Sequence, residues 1–231
     1  MASQESRPAA RHQEERPGRP GTARTEAFSD GVFAIVITVL VLDLANPNYR
    51  PGGLGAALAE RWPAYLAFGL SFVYVGVLWL NHHALFRRIS RLSLALNWLN
   101  LGLLLGAVII PFPTAVLADA FASGSDGDKR VAVVLYAVAA AVMSVAWLAT
   151  FGYLSRRPDL LRPGTTSRYM RQQLWRPVTG IGLYGVSALV GGFISPTVGL
   201  VCIIVMMVYH ALTSEGIHDG PLSRIAKRTR E

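Results

Sequence analysis

The chain has 231 residues, 52% of them hydrophobic and only 16% charged, and a net charge of +8. A soluble domain carries about 25% charged residues, so this balance excludes an ordinary water-soluble fold and points to an all-α integral membrane protein. The single cysteine, Cys202, excludes an intrachain disulfide.

Residues 1–23 are rich in Arg, Pro, Glu and Gln, and they read as a disordered cytoplasmic tail. No short apolar stretch followed by a small-residue cleavage site stands near the start, so no signal peptide is expected. Crossing a hydrocarbon core of about 30 Å takes about 20 mainly apolar residues. Six segments approach that requirement, at roughly 26–45, 62–81, 96–118, 131–154, 177–195 and 197–213. They define a six-helix transmembrane domain over 24–213, followed by a basic cytoplasmic tail over 214–231. Pro111 and Pro113 kink or end the third span, and Ser195-Pro196 makes a turn between the last two. Gly102 with Gly106, and the Gly191-Gly192 pair, are read as sites of close helix packing.

Six spans place both termini on one side, and the basic residues test this. Eighteen of the 22 Lys and Arg fall in the N-terminal segment up to and including Arg24, the C-terminal tail, and the loops Arg87–Arg91 and Arg156–Arg176. The opposite side holds only Arg50, Arg61, Lys129 and Arg130. The positive-inside rule then makes both termini cytoplasmic, in a multi-pass protein of the cell membrane. The basic charge is topology, and no nucleic acid partner is expected. Trp62, Trp98 and Trp175 fall near span ends, where indole rings favour the interface.

The first span is the least ordinary. Arg24-Thr25-Glu26-Ala27-Phe28-Ser29-Asp30 leads straight into an apolar run that ends at Asp43-Leu44. A charge at helix centre costs about 2.5–3.5 kcal/mol on insertion scales, so such groups face protein or water. With 100° per residue and Ile35 as zero, Phe28, Gly31, Thr38, Val39 and Leu42 lie within about 60° of it. Asp30 points about 140° away. The stripe fits either helix packing or a pore lining built from several copies, in which branched aliphatic rings constrict and Thr38 hydroxyls replace lost hydration. Asp30 reads as a polar clamp on neighbouring helices, favoured near a helix N-terminus by the macrodipole. Candidate partners are Trp79, Asn81, His82 and His83 at the end of the second span. The histidine pair lacks a third ligand at suitable spacing, so no metal site is expected.

These residues resemble a known family. Arg24-x-x-x-Phe28-Ser29-Asp30, the following Gly31-Val32-Phe33-Ala34-Ile35 and Leu40-Val41-Leu42-Asp43-Leu44 are similar to bacterial members of the transmembrane protein 175 potassium channel family. Trp79-x-Asn81-His82-His83 and Pro111-Phe112-Pro113 support the resemblance. It implies six helices per subunit, a homotetramer, and a central pore lined by the first helix without the filter sequence TVGYG. By motif, Ile35 matches the hydrophobic constriction, and Thr38 and Leu42 match further pore-facing layers. Arg24, Phe28, Ser29 and Asp30 match the motif that braces the pore helix.

The expected function is therefore a passive cation channel of weak to moderate potassium selectivity. K+ is the permeant ion, with no cofactor and no small-molecule substrate. The partners are further copies of the chain and the lipid bilayer. Four Asp43 side chains are candidates for a cation-attracting ring at the outer mouth. The alternative is a secondary ion-coupled transporter, with glycine-rich helices at the midplane. Against it, no acid lies at mid-membrane in spans two to six. An enzyme is not expected, since Ser, His and Asp fall in no nucleophile-elbow or triad pattern.

Overall fold

The computed structural model describes residues 20–44 and 47–212, with the backbone alone at Pro20, Gly21 and Asp43. The described residues are helical almost throughout. Helix α1 (Pro20–Leu40) runs into a 3-10 turn at Val41–Asp43. The short α2 (Leu54–Glu60) precedes α3 (Trp62–Phe86). Next come α4 (Leu94–Ile109), α5 (Pro111–Ser123) and α6 (Asp126–Ser155). The last group is α7 (Ser167–Gln173), α8 (Trp175–Leu189) with a π-helical continuation at Val190–Ile194, and α9 (Pro196–Leu212).

Among the described residues, four stretches are long and apolar enough to cross a membrane: Trp62–Phe86, Leu94–Ser123, Asp126–Ser155 and Ser167–Ile194. The chain is a multi-pass, all-helical membrane protein. Of the two remaining expected spans, α1 carries Arg24, Glu26 and Asp30 in its first half, and α9 has 17 residues.

Local signals explain the helix starts. Ser125 and Asp128 close a capping box, the Asp128 carboxylate accepting from Ser125 N at 2.8 Å. Ser93 caps α4 by accepting from Leu96 N at 3.1 Å. Pro111 opens α5 where its missing N–H costs nothing, so the third segment continues to Ser123 instead of ending near 118.

Two further boundaries differ from the sequence expectation. The expected N-terminal tail ends at residue 23, whereas α1 begins at Pro20, a residue suited to a first helical turn. The second span does not end at 81: Leu85 and Phe86 are buried and carry α3 one turn further, so Asn81, His82 and His83 lie inside the helix. The rest of the N-terminal tail, 1–19, and the whole expected C-terminal tail, 214–231, lie outside the described residues.

Helix α6 is the hub, packed against α4, α5, α7, α8 and α9 and burying Tyr136, Met143 and Leu154. Helix α1 packs on α3 and α4 at the edge of this bundle, which leaves one of its faces uncovered.

Glycine placement separates packing from sequence pattern. A Cβ at Gly199 would lie 2.5 Å from the Gly191 Cα, and one at Gly191 would strike the Val133 side chain. Gly106 is also tight, with a Met143 methyl 3.1 Å from its would-be Cβ. Gly102 is not a packing glycine, because nothing lies within 4 Å of that position. Gly199→Ala should therefore cost about 1–3 kcal/mol through overpacking. Gly102→Ala should be neutral or stabilise by up to about 1 kcal/mol through helix propensity. Thermal midpoints of the two purified variants check the pair, and equal shifts would contradict the close approach.

Candidate functional site

Helix α1 has two chemically distinct faces. Ile35 is 63% and Leu42 72% exposed, with Phe28, Gly31, Ala34, Thr38 and Val39 on the same open side. Ser29, Phe33, Val36 and Leu40 are buried against the bundle. The Thr38 hydroxyl donates to the Ile35 carbonyl at 2.8 Å. That bond uses its only proton, so its oxygen can act toward the open side solely as an acceptor, the polarity a cation requires.

The opposite face is held by polar contacts from two helices. Trp79 Nε1 donates to the Asp30 carboxylate at 2.8 Å. One position earlier, the Ser29 hydroxyl donates to Thr25 O at 2.8 Å and accepts from Asn100 Nδ2 at 3.0 Å. Asn100 is buried on α4, and its Oδ1 lies 2.7 Å from His82 Nε2. With its amide nitrogen committed to Ser29, Asn100 accepts here and His82 Nε2–H donates. His82 is also fixed by its ring, stacked on Phe86 at 4.3 Å and set edge-on to Phe33 at 5.4 Å. A continuous chain thus runs from the α1 backbone through Ser29, Asn100 and His82 to α3.

The other motif residues are less uniform. His83 Nδ1 lies 3.1 Å from Glu26 Oε1, within ion-pair distance yet not aligned as a hydrogen bond. Arg24 is exposed and makes no hydrogen bond or ion pair with the described residues. It lines an open depression with Thr25, Phe28, Asn97, Asn100 and Leu101. In that depression Asn97 Oδ1 is buried without a hydrogen-bond partner. Asn81 lines a cleft together with α6 and α8 residues. The Asp43 carboxylate lies outside the described side chains.

Sequence reasoning did not single out Asn100 or Glu26. The available signal for the first was Asn97 and Asn100, three apart on the otherwise apolar α4, since intramembrane polar side chains rarely lack partners.

Comparison with known proteins agrees in family. The model of the family described as endosomal/lysosomal potassium channel TMEM175 matches residues 24–111. A potassium channel of Streptomyces collinus is 39% identical over 176 residues, 72% of this chain and 84% of that protein. The human endosomal/lysosomal proton channel TMEM175 is 43% identical over 86 residues, 33% of this chain and 17% of that protein. The crystal structure of a lysosomal potassium-selective channel TMEM175 homologue from Chamaesiphon minutus superposes with a TM-score of 0.73 and 33% identity. It covers 84% of this chain and 98% of that one.

Proposed function

This chain belongs to the TMEM175 potassium channel family, and we propose that it conducts potassium passively as a homotetramer with weak to moderate selectivity. Each subunit crosses the cell membrane six times, with both termini cytoplasmic. The α1 helices of four copies line the pore. Ile35 forms the hydrophobic constriction, with Thr38 and Leu42 in further layers. Ser29 and Asp30, held by Asn100 and Trp79, fix the rotation of α1 so that this stripe meets the axis. His82 and His83 complete the brace, while the motif's other two members, Arg24 and Phe28, stand exposed.

The two-sidedness of α1 is the observation that supports this reading. A packing stripe would be covered within the subunit, but Ile35 and Leu42 are open while the polar motif is engaged. A coupled transporter is not favoured, because the relatives are named as channels.

Liposomes holding the purified protein, given an outward potassium gradient and then a matched sodium gradient, test the proposal. Passive flux that is larger for potassium and needs no coupled ion is expected. Correctly folded protein that passes neither ion would sink it. Four Asp43 side chains would concentrate cations at the outer mouth, so Asp43→Asn should lower conductance most at low salt, where screening is weakest. An unchanged conductance at low salt would remove Asp43 from the pore.

A further inference from the structure

Helices α7 and α8 form one helical stretch, Ser167–Ile194, because Leu174 between them keeps helical backbone angles (φ −62°, ψ −29°). At 100° per residue, Arg168, Arg171, Trp175, Val178, Val186 and Leu189 fall within an arc of about 80°. All six are exposed. Met170, Pro177, Tyr184 and Ser187, on the other side, are buried against the bundle. One ridge therefore runs along the outside of the span, apolar over α8 and cationic over α7.

The chemistry of the ridge sets its depth. Val178, Val186 and Leu189 are open apolar side chains on a membrane-crossing helix, at acyl-chain depth. Trp175, 72% exposed, marks the interface that an indole favours. Arg171 and Arg168 follow about 6 and 10 Å further along the axis, at 1.5 Å per residue. Headgroups extend about 5–8 Å beyond the hydrocarbon on each side, and long arginine side chains snorkel, so both guanidiniums reach that layer.

Charge at this end is one-sided. The loops Arg87–Arg91 and Arg156–Arg176 hold nine arginines and one acid, Asp159, whose carboxylate already accepts from Arg157 at 2.9 and 3.0 Å. The two loops are joined: Ser90 N donates to Leu160 O and Arg162 N to Arg88 O, each at 2.8 Å, around an isolated β-bridge between Ile89 and Leu161. Among the described residues, Arg168 and Arg171 make no hydrogen bond or ion pair. Residues 1–19 and 213–231 each hold four basic and three acidic residues, so neither offers the pair a net negative charge. The positive-inside rule accounts for the side on which these arginines fall, but it does not require two of them on a lipid-facing ridge.

We propose that Arg168 and Arg171 bind the phosphates of anionic phospholipids in the adjoining leaflet, with Trp175 beside the same lipids and their chains along Val178. A guanidinium offers parallel N–H donors that match phosphate oxygens. A choline phospholipid brings its own cation with its phosphate and gains less from the pair. A soluble phosphate would leave Trp175 and Val178 uncovered, and an acidic protein would have to reach the ridge through the headgroups. The inference concerns this end of the bundle alone and does not depend on ion conduction.

Tryptophan quenching in bilayers tests it, with the full-length protein in phosphatidylcholine that contains brominated phosphatidylglycerol or brominated phosphatidylcholine. The Trp175 signal is the quenching lost in Trp175→Phe. Brominated phosphatidylglycerol should reach half-maximal quenching of Trp175 at a mole fraction at least about fivefold lower than brominated phosphatidylcholine, the scale of one basic residue at an anionic surface. Arg168→Gln/Arg171→Gln should bring that ratio close to one, and both side chains are exposed, so the fold is expected to survive. At about 1 M salt, where the Debye length is about 3 Å, the ratio for the unaltered arginines should fall likewise. That arm stays decisive even if the double variant misfolds. Trp62, exposed at the far end of α3 beside the oppositely charged Glu60 and Arg61, should show no such preference. A ratio near one at Trp175, an unchanged ratio in the double variant or at high salt, or an equal preference at Trp62 would each overturn the proposal. So would inorganic phosphate that abolishes the preference beyond chloride of the same ionic strength, since the site would then serve a soluble anion.

Discussion

Replacing Ile35 with asparagine is expected to raise potassium flux by roughly tenfold, the effect of lowering a barrier by about 1.4 kcal/mol. A ring of branched aliphatic side chains resists passage because it offers an ion nothing in exchange for its hydration shell. An amide at the same place supplies both a carbonyl acceptor and room for water. Ile35 is open at the subunit surface, so the substitution removes little packing within the subunit and should leave its stability within about 0.5 kcal/mol. Single-channel conductance, or flux per reconstituted protein, together with a thermal melt, separates the two effects. Unchanged flux with a lowered melting temperature would make the open stripe a packing surface between copies.

Asn100→Leu is expected to damage the protein from the other side of the same helix. An average side-chain hydrogen bond inside a membrane contributes only about 0.6 kcal/mol, and on that scale the loss would be small. Asn100, however, serves two partners, accepting from His82 and donating to Ser29. His82 Nδ1 already lacks a hydrogen-bond partner, so losing Nε2 as well would leave the whole buried ring unsatisfied. A buried group stripped of its partner costs about 1–3 kcal/mol, which sets the expected total near 2 kcal/mol. The melting temperature should fall by several degrees and flux should drop as α1 loses its rotational anchor. A cycle with Ser29→Ala should show a coupling of about 0.5–1 kcal/mol between the two positions, since they touch. Additive effects would mean that the contact carries no weight.

Much of the architecture was legible in the chain, for identifiable reasons. Apolar runs must be as long as the bilayer is thick, and therefore the segments around Trp62, Leu94, Asp126 and Trp175 announced themselves by length and hydropathy. The division of α1 into an open stripe and a polar edge followed from helical geometry, because 100° per residue places Ile35 and Asp30 on different sides whatever surrounds them. Boundaries were harder. Whether α3 stops at Asn81 or continues to Phe86 depends on what Leu85 and Phe86 pack against, and hydropathy does not report a partner.

Contacts between distant segments were decided only in three dimensions. Nothing local to Asn100 says that it joins Ser29, 71 positions earlier, to His82, 18 positions earlier. Gly102 and Gly199 look alike as helical glycines, yet one faces open space and the other meets a second backbone. Asn81 sits within the motif beside Trp79 and His82, but it lines a cleft shared with Met143, Trp147 and Pro177 of α6 and α8. Periodicity and hydropathy are properties of one segment against its solvent, so the sequence alone determined membrane insertion and the faces of α1. Pairing is a property of two surfaces that meet, so the brace and the tight glycine crossing had to wait for the tertiary structure.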